Sequence, residues 1–252
     1  MRFEGLRILV TGGSGGLGRP LCAQLRWKGA KVTVLDRAPP ADPTMGFLQH
    51  DISTTDGLEA AVIDVREKHW DVLINLAGVQ HFGRLEDQAP DHLLASYMVN
   101  LVAPVRLTQA VLPTMKHYAR GHIVNIGSIF GSINFAHFAT YSSAKAGLRG
   151  FSQALRREVA GAGVNITYVA PRAVRTPLNT AQVMAFAKAT GMRFDDPERI
   201  AGLILEAVRR KRAEAYFGFP ESLFVRVNAL LPGVVDRALW ANDRKAATLF
   251  RT

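Results

Sequence analysis

Short apolar runs rich in β-branched residues alternate with longer segments of helical periodicity along most of the chain. The runs that predict strands are residues 7–11, 31–35, 46–50, 71–76, 122–127, 165–169 and 215–218. The segments that predict helices are residues 16–28, 54–68, 90–118, 140–161 and 196–211. Such alternation is typical of a parallel sheet wrapped by helices. We therefore expect an α/β fold, with a doubly wound, seven-stranded parallel sheet and helices on both faces.

Composition narrows the class of protein. Hydrophobic residues make up 48% and charged residues 21% of the 252 residues, which is ordinary for a globular chain. Because Cys22 is the only cysteine, we expect neither an internal disulfide nor a metal site, and we expect a cytoplasmic location. The early first strand predicts that there is no signal peptide, and no apolar run is long enough for a membrane span. We expect one domain over residues 1–252, with a helical tail at about 219–252.

Glycines crowd the turn between the first predicted strand and the first predicted helix, in the run Thr11-Gly-Gly-Ser-Gly-Gly-Leu-Gly18. Glycine lets the backbone approach a pyrophosphate closely, and the amino terminus of the following helix adds N–H donors and a positive dipole. A tight turn alone could use as many glycines, but the position between strand and helix is the one that nucleotide binding requires. The loop therefore predicts a dinucleotide site in a Rossmann-type sheet.

The end of the second predicted strand bears on the choice of nucleotide. Asp36 can accept hydrogen bonds from ribose hydroxyls there and would repel a 2′-phosphate, which favours NAD over NADP. Arg37 leaves NADP open, because a guanidinium could meet a 2′-phosphate if the carboxylate turned away. The structural alternative is that Asp36 only begins the turn before Pro39 and Pro40.

A serine, a tyrosine and a lysine at suitable spacing predict proton-transfer chemistry. Ser128 follows the fifth predicted strand, and Tyr141 and Lys145 share one face of the next helix at i, i+4. A free phenol has a pKa of about 10, and a neighbouring ammonium and an oxidised nicotinamide would lower the pKa of Tyr141 towards the working range. Ser128 could polarise a substrate oxygen while Tyr141 exchanges the proton.

Taken together, these motifs make the chain resemble the short-chain dehydrogenase/reductase family over about residues 5–218. The matching elements are residues 11–18, Asn75-Leu-Ala-Gly78, Asn100, Ser128 and Tyr141-x-x-x-Lys145. The resemblance implies hydride exchange between C4 of a nicotinamide and a carbonyl or alcohol carbon. It implies that Tyr141 is the general acid/base and that Lys145 binds the nicotinamide ribose and lowers the pKa of the tyrosine. Ser128 would orient the substrate oxygen, and Asn100 would anchor a water in a proton relay.

The same resemblance implies a set of cofactor contacts. The residues of this set are Gly12, Ser14, Gly15, Gly16, Leu17, Gly18, Asp36, Arg37, Asp51, Ile52, Asn75, Ala77, Gly78, Tyr141, Lys145, Pro171 and Thr176. The loop glycines would face the diphosphate, Asp51 and Ile52 the adenine, and Thr176 the nicotinamide amide. Family members that use NADP commonly have a basic residue inside the glycine loop, and this loop has none, which agrees with Asp36.

One position departs from the family pattern. After the sixth predicted strand the family usually has Pro-Gly, whereas here Pro171 is followed by Arg172. Arginine resists some of the backbone dihedrals that glycine tolerates, so the local geometry is in question. A sharper hypothesis is that Arg172 or Arg175 contacts the cofactor diphosphate or an anionic substrate group.

Apolar residues around the predicted catalytic group suggest a hydrophobic alcohol or ketone as the substrate. Phe130, Phe135 and Phe138, with Ile133, could form an apolar wall. The region after Thr176 adds Leu178, Met184, Phe186 and Met192, which suit an adaptable lid. The alternative is that several of these side chains belong to the core or to a subunit contact.

The carboxyl-terminal part is basic and is the least similar to the family. The chain carries 31 Lys and Arg against 21 Asp and Glu, a net charge of +10, and residues 151–252 hold 16 basic against 9 acidic residues. Residues 220–232 and 234–250 predict two amphipathic helices. They could cover the substrate cleft, pack on a partner subunit or lie peripherally on a membrane. The basic run 209–212 is either a solvated helix end or a surface for an anionic partner, and no nucleic-acid-binding module is visible.

Three functional readings follow from this sequence. The first is an NAD-dependent oxidoreductase for a secondary alcohol or ketone, assembled as a homodimer or homotetramer through the helices at 90–118 and 140–161, as the resemblance implies. The second is an NADPH-dependent reductase of a carrier-bound 3-oxoacyl group, which the basic carboxyl-terminal part favours and Asp36 opposes. The third is an NAD-binding sensor without turnover, and the complete catalytic set argues against it.

Overall fold

The computed structural model describes residues 1–249, and its strands fall close to the runs that predict strands. They are β1 (Arg7–Thr11), β2 (Lys31–Asp36), β3 (Gly46–Gln49), β4 (Val72–Asn75), β5 (Gly121–Ile126), β6 (Val164–Pro171) and β7 (Glu214–Phe217). Neighbouring strands all pair in parallel, in the order β3-β2-β1-β4-β5-β6-β7. The winding direction changes between β1 and β4, as in other doubly wound sheets. The prediction of a Rossmann-type, seven-stranded parallel sheet is confirmed.

Helices connect the strands and then continue beyond β7. They are α1 (Gly18–Trp27), α2 (Thr55–Arg66), α3 (Pro90–Tyr97), α4 (Ala103–His117), α5 (Ala139–Glu158), α6 (Ala181–Thr190), α7 (Pro197–Arg209), α8 (Glu221–Leu230) and α9 (Pro232–Thr248). Several begin at residues whose side chains accept a backbone N–H, as Thr54 does from Gly57 at 3.1 Å and Asp196 from Arg199 at 3.2 Å. Within residues 1–249, no helix is both long and apolar enough to cross a bilayer.

Two apolar cores lie on opposite faces of the sheet. Successive residues of β1 point to opposite sides, so Ile8 and Val10 belong to one core and Leu9 to the other. Helices α1 and α7 cover the first face. Helices α2, α4 and α5 cover the second. With both faces covered, only the ends of the parallel strands remain open for a ligand site.

Two helical segments differ from the prediction. The helix expected over 90–118 is interrupted by a π-helical turn at Met98–Val102, which separates α3 from α4 and contains Asn100. Helix α6 was not predicted, although Thr180 caps its first turn and Gly191 ends it with a left-handed φ of 71°. The signals were therefore present, but the segment is apolar on several sides and lacks the clear periodicity of the other helices.

The tail forms two helices, α8 and α9, as the sequence predicts, and Phe250 of the second predicted segment lies outside the described residues. Both helices pack beside the sheet edge. Val225 of α8 and Val235 of α9 are buried with Ile129 and Ile133, which follow β5. The tail is therefore joined to the same end of the sheet as the predicted catalytic residues.

Candidate active site

A cleft of about 660 Å³ opens at the carboxyl ends of the strands. Most of the residues that the sequence predicts as site residues line it. They are Gly12, Ser14, Gly15, Gly16, Leu17, Gly18, Asp36, Arg37, Asp51, Ile52, Ala77, Gly78, Ser128, Tyr141, Lys145, Pro171 and Thr176. The two remaining predicted residues, Asn75 and Asn100, lie behind the lining. The topology has thus gathered separate motifs of the chain into one site.

The glycine loop is packed so closely that side chains are excluded. A Cβ on Gly12, whose φ is +70°, would lie 2.7 Å from the Cα of Ala77. A Cβ on Gly16 would lie 2.7 Å from Pro177 and Thr176. Among the described residues, no side chain caps the amino end of α1, and its first turn holds no acidic residue. The loop and the positive dipole at the amino end of α1 therefore fit an anionic diphosphate.

At the end of β2, the Asp36 carboxylate is held by backbone N–H groups. It accepts hydrogen bonds from Ser14 at 3.0 Å and from Arg37 at 2.7 Å. The Arg37 side chain is 72% exposed, and its guanidinium lies 3.8 Å from Asp51. Arg19, which also lines the cleft, donates from Nε to the carbonyl of Ser14 at 2.8 Å. A fixed carboxylate and two cations therefore share the region where a nucleotide ribose would lie.

The loops after β3 and β4 form the next part of the wall. The Asp51 carboxylate accepts hydrogen bonds from Ser53 at 2.6 and 2.9 Å, and these bonds, with a smaller contribution from Arg37, hold its pKa below the usual range. Asn75 does not reach the wall. Its side chain is buried in the sheet and donates to Asn125 at 2.8 Å, because the register of β4 and β5 sets the two amides side by side. Its side chain makes a cross-strand contact, and the contact of the Asn75 region with a cofactor stays a prediction.

Ser128, Tyr141 and Lys145 meet at the inner end of the cleft. The Ser128 hydroxyl accepts the N–H of Phe130 at 3.1 Å and hydrogen-bonds the Tyr141 phenol. The Lys145 ammonium donates to the carbonyl of Ile126 at 2.9 Å and lies 5.8 Å from the centre of the tyrosine ring. The predicted constellation is therefore assembled around one small space.

Burial sets the protonation of this group in the protein alone. It raises the pKa of Tyr141 to about 12, although the hydrogen bond from Ser128 opposes the shift. It also lowers the pKa of Lys145 to about 8. In the protein alone, desolvation disfavours both charged forms, and the lowering of the phenol pKa that also requires an oxidised nicotinamide stays a prediction.

Asn100 is buried in the π-helical turn between α3 and α4. Its amide donates to the carbonyls of Val79 at 2.7 Å and Ser96 at 2.8 Å. Its Oδ1 is buried without a hydrogen-bond partner among the described residues, and a Cβ on Gly78 would lie 3.1 Å from it. The same Cβ would lie 3.7 Å from the Lys145 ammonium, so a free acceptor faces the region of Lys145. A buried acceptor of this kind fits an ordered water.

Arg172 makes ion pairs within the protein. Its guanidinium donates two hydrogen bonds to the carboxylate of Asp195, both at 2.9 Å, and lies 3.3 Å from Glu221 at the start of α8. Asp195 is only 5% exposed. Arg175 is exposed and outside the lining of the cleft among the residues described. Arg172 lines the cleft, but its guanidinium is already paired with Asp195 and Glu221, so an anionic ligand would have to compete with these carboxylates.

Aromatic side chains enclose the space beyond the tyrosine. Phe130 and Phe138 line the cleft, with ring centres 4.9 Å apart, and Phe135 stacks on Phe130 at 4.4 Å. Phe186 of α6 is buried against Phe138 at 5.8 Å. The expected wall is present, and the structural alternative also holds for Phe186, which is a core residue of this small cluster.

Some cleft residues were missed by sequence reasoning. Gln80 donates to the carbonyl of Leu178 at 2.9 Å and so joins the loop after β4 to the loop after β6. Val79, Arg19, Pro177 and Val183 also line the cleft. Their only sequence signal is proximity to a strand end or to the glycine loop, which does not show which side chains turn inward.

Comparison with known proteins agrees with this geometry. A family model described as short chain dehydrogenase matches residues 7–185. The chain is 34% identical over 191 residues to a 3-oxoacyl-[acyl-carrier-protein] reductase of Salmonella typhimurium, a match that covers 72% of this chain and 78% of that protein.

Solved structures show the same fold. A short-chain dehydrogenase from Burkholderia cenocepacia in complex with NADP superposes with a TM-score of 0.81 at 23% identity, over 95% of this chain and 99% of that one. A short-chain dehydrogenase from Leptospira borgpetersenii with bound NAD⁺ gives a TM-score of 0.73 at 23% identity, over 85% and 91%. The chain belongs to the short-chain dehydrogenase/reductase family and is an NAD(P)-dependent oxidoreductase of that family.

Proposed function

We propose that the protein interconverts a hydrophobic secondary alcohol and its ketone, with NAD(H) as the preferred cofactor. The observation that carries this proposal is the placement of Tyr141, beside Ser128 and Lys145, between a glycine-lined cleft and an aromatic pocket. A substrate carbon in the aromatic pocket would lie next to both the proton donor and the nucleotide cleft. A polar or charged substrate would have to be desolvated by this pocket without compensating hydrogen bonds.

The chain has suitable groups for the nicotinamide cofactor. The amino end of α1 and the glycine loop would hold the diphosphate. Lys145, with its ammonium directed at the cleft, would bind a ribose hydroxyl. When bound, the nicotinamide supplies or accepts the hydride at its C4.

The protein residues would handle the proton. Since the pKa of Tyr141 is raised to about 12, the phenol is protonated at neutral pH and can donate its proton to a carbonyl oxygen during reduction. The Ser128 oxygen already accepts the N–H of Phe130, and its hydroxyl hydrogen, which is directed at the Tyr141 phenol in the protein alone, would turn to the substrate oxygen. In the oxidative direction the phenolate must form, which requires positive charge from Lys145 and the oxidised cofactor. The buried Asn100 Oδ1 is placed to hold a water that resupplies the proton.

The preference for NAD rests on Asp36. Its carboxylate is fixed by the N–H groups of Ser14 and Arg37 and cannot turn away without losing both hydrogen bonds. A 2′-phosphate beside it would be repelled, which opposes the attraction of Arg19 and Arg37. We expect the fixed carboxylate to decide the preference, because Arg37 is largely exposed and screened by solvent.

The first test needs no substrate. The protein is titrated with NADH and with NADPH while the nicotinamide fluorescence is followed. We expect NADH to bind at least about tenfold more tightly, a difference of about 1.4 kcal/mol. Asp36→Asn should remove that preference, whereas Asp42→Asn, at an exposed carboxylate outside the cleft, should not. Tighter binding of NADPH by the unaltered protein would contradict the proposal.

The substrate class is tested separately. Turnover with NADH is measured for a series of ketones of increasing apolar size and for matched ketones that carry a carboxylate. We expect kcat/KM to rise with apolar size and to be low for the charged series. Phe130→Ala should reduce this dependence on size, since Phe130 lines the pocket. A preference for the charged ketones would contradict the proposed substrate.

A second candidate is reduction of a carrier-bound 3-oxoacyl group. The relative from Salmonella typhimurium is named for this reaction. The basic end of α7 is less free than its sequence suggests, because Arg209 and Arg210 both pair with Glu206. If this candidate holds, a carrier-bound 3-oxoacyl thioester should have a much lower KM than the same thioester on a small thiol, with NADPH as the reductant.

We also propose that the chain forms a homodimer or homotetramer through α4 and α5. Both helices bury one side in the second core, which leaves their outer sides available for a partner copy. Sedimentation equilibrium gives the mass of the assembly, and a monomer at micromolar concentration would contradict this proposal.

A further inference from the structure

The tail helices expose an apolar face. Among the described residues, half of the large exposed apolar side chains lie within 219–249. On α8, Leu223 and Leu230 are seven residues apart and share one exposed side of the helix, whereas Val227 is partly buried against the cluster of Val225 and Val235. Leu230 is 81% exposed, whereas Val225 is the only residue of α8 that is buried. Helix α8 thus turns its more apolar side to solvent.

Further apolar side chains extend this face at both ends of α8. Phe219 before the helix is 74% exposed. Leu231 and Val234, at the junction with α9, are also exposed. We call the set Phe219, Leu223, Phe224, Leu230, Leu231 and Val234 the tail patch. A continuous apolar surface of this kind on one protein indicates an interaction site.

Both tail helices carry cations, together with Glu221, which pairs with Arg172, and with Asp236 and Asp243. Arg226 lies on α8, and Arg237 and Arg244 lie on α9, all three exposed. Within residues 1–249, none of the three forms an ion pair with an acidic side chain. Arg244 lies 4.9 Å above the ring of Trp240, which is 61% exposed. Leucine and phenylalanine flanked by arginine and tryptophan is the composition of a surface that lies in a membrane interface.

We infer that the tail patch docks the protein on an anionic lipid bilayer. The apolar side chains would enter the boundary between headgroups and acyl chains, and the arginines would meet lipid phosphates. A second copy of the chain fits this surface less well. A two-fold contact would place the same patch against itself and bring Arg226, Arg237 and Arg244 of both copies together. The net charge of +10 also favours an anionic surface over another copy.

The docked surface is continuous with the walls of the catalytic cleft. Ala246 of α9 is buried with Phe138 and Phe186, and Val225 of α8 is buried with Ile129. Docking through the tail would therefore place the aromatic end of the cleft near the bilayer. The docking itself does not depend on the proposed substrate, because it needs neither cofactor nor turnover.

Flotation of the full chain with vesicles tests this inference. Vesicles of phosphatidylcholine alone are compared with vesicles of phosphatidylcholine and phosphatidylglycerol. We expect the protein to float with the anionic vesicles and to float much less with the neutral ones or at high salt. Protein that stays at the bottom of the gradient with anionic vesicles overturns the inference.

Two sets of variants identify the surface. Leu223→Ser with Leu230→Ser should lower partitioning into anionic vesicles at least tenfold, whereas Ile63→Ser with Leu94→Ser, equally exposed on α2 and α3, should not. Replacing Arg226, Arg237 and Arg244 by Gln should lower partitioning into anionic vesicles about fivefold for each arginine replaced. The control for charge replaces the exposed Arg66, Arg157 and Arg212 by Gln. Equal losses in the tail and control variants would overturn the assignment.

Further measurements test whether misfolding or self-association, rather than lost contact with lipid, explains a change in vesicle binding. Each variant is checked by circular dichroism and by NADH titration, and only variants that retain both are compared. In a Trp27→Phe protein, brominated lipid should quench Trp240, since the remaining Trp70 is buried. Absence of quenching counts against insertion of the tail. If the unaltered protein is an oligomer that Leu223→Ser with Leu230→Ser dissociates, the patch is a subunit interface and the inference is wrong.

Discussion

The two ends of the cleft are built by different means. At the nucleotide end the wall is mainly backbone, and Gly12 and Gly16 leave no room for a Cβ against the neighbouring loops. At the substrate end the wall is made of side chains from separate segments, such as Phe130, Phe138 and Val183. The first end is therefore sensitive to added atoms, and the second is sensitive to removed atoms.

The two ends also differ in how far apart in the sequence their residues lie. The nucleotide end depends largely on one continuous loop and the helix that follows it, so a short motif describes it. The substrate end also depends on α6 and on the tail, which are distant in the sequence. The following predictions, from the largest expected effect to the smallest, test whether the two ends behave independently.

Tyr141 lies at the boundary between the two ends, and its hydroxyl should matter only for turnover. We expect Tyr141→Phe to lower kcat by about 10³-fold or more, since a positioned proton donor contributes roughly 10²–10⁴-fold. NADH affinity should stay within about twofold of the unaltered protein. Tyr118→Phe, at an exposed phenol, is the control and should change neither quantity. A Tyr141→Phe protein that retained turnover would contradict the assigned role.

Arg172 connects the loop after β6 to the tail through Asp195 and Glu221. We expect Arg172→Gly to lower the free energy of unfolding by about 3 kcal/mol, because among residues 1–249 it leaves the buried Asp195 carboxylate with only the exposed Arg199 as an ion-pair partner. Urea denaturation measures the change. In the same background, Asp195→Asn should recover part of the loss. If Arg172→Gly leaves stability unchanged but weakens cofactor binding, Arg172 serves a ligand after all.

Gly16 tests the prediction that the nucleotide end does not tolerate added atoms. The new Cβ of Gly16→Ala would lie 2.7 Å from Pro177 and Thr176, so the loops must separate. We expect NADH affinity to fall about tenfold or more, roughly 1.4 kcal/mol, in a fluorescence titration. Gly202→Ala in α7 is the matched control, since its Cβ meets only ordinary contact at 3.6 Å. Equal affinities would show that the loop is more adaptable than its packing indicates.

The buried Lys145 and the buried Cys22, which lies beside the glycine loop, should contribute opposite pH dependences to stability. The pKa of Lys145 is lowered from 10.5 in the unfolded chain to about 8, so between these values the unfolded lysine binds more protons. The Lys145 contribution should therefore rise with pH across this window, by at most about 1.4 kcal/mol per pH unit, whereas the Cys22 contribution should fall above about pH 9, because burial raises the pKa of its thiol. Lys145→Met should lack the lysine contribution. Its free energy of unfolding, compared with that of the unaltered protein at the same pH, should therefore be most favourable below pH 8.

Urea denaturation between pH 7 and 9.5 measures this slope. Over that range the phenol of Tyr141 stays protonated, because its pKa is raised to about 12. Lys68→Met, at an exposed lysine, should keep the slope of the unaltered protein. A slope that Lys145→Met leaves unchanged would show that another group titrates.

Local patterns predicted most of the fold but not every contact in the site. The strands, the glycine loop and the Tyr141–Lys145 pair were accessible because each depends on neighbours within a few residues. The hydrogen bond of Asn75 could not be predicted from such neighbours, since its partner Asn125 lies on another strand and only the strand register brings the two together. Helix α6 had a cap at Thr180 and a stop at Gly191, yet its apolar surface obscured the period.

The sequence by itself determined the sheet and the glycine loop and predicted the proton-transfer group, because short-range geometry and residue chemistry specify them. The tertiary structure alone decided that Arg172 pairs with Asp195, that burial raises the pKa of Tyr141, and that α8 faces solvent with its leucines. Each of these depends on which distant segments exclude water from a side chain. Spacing along one segment does not show which side chains will be shielded from water, whereas the tertiary structure does.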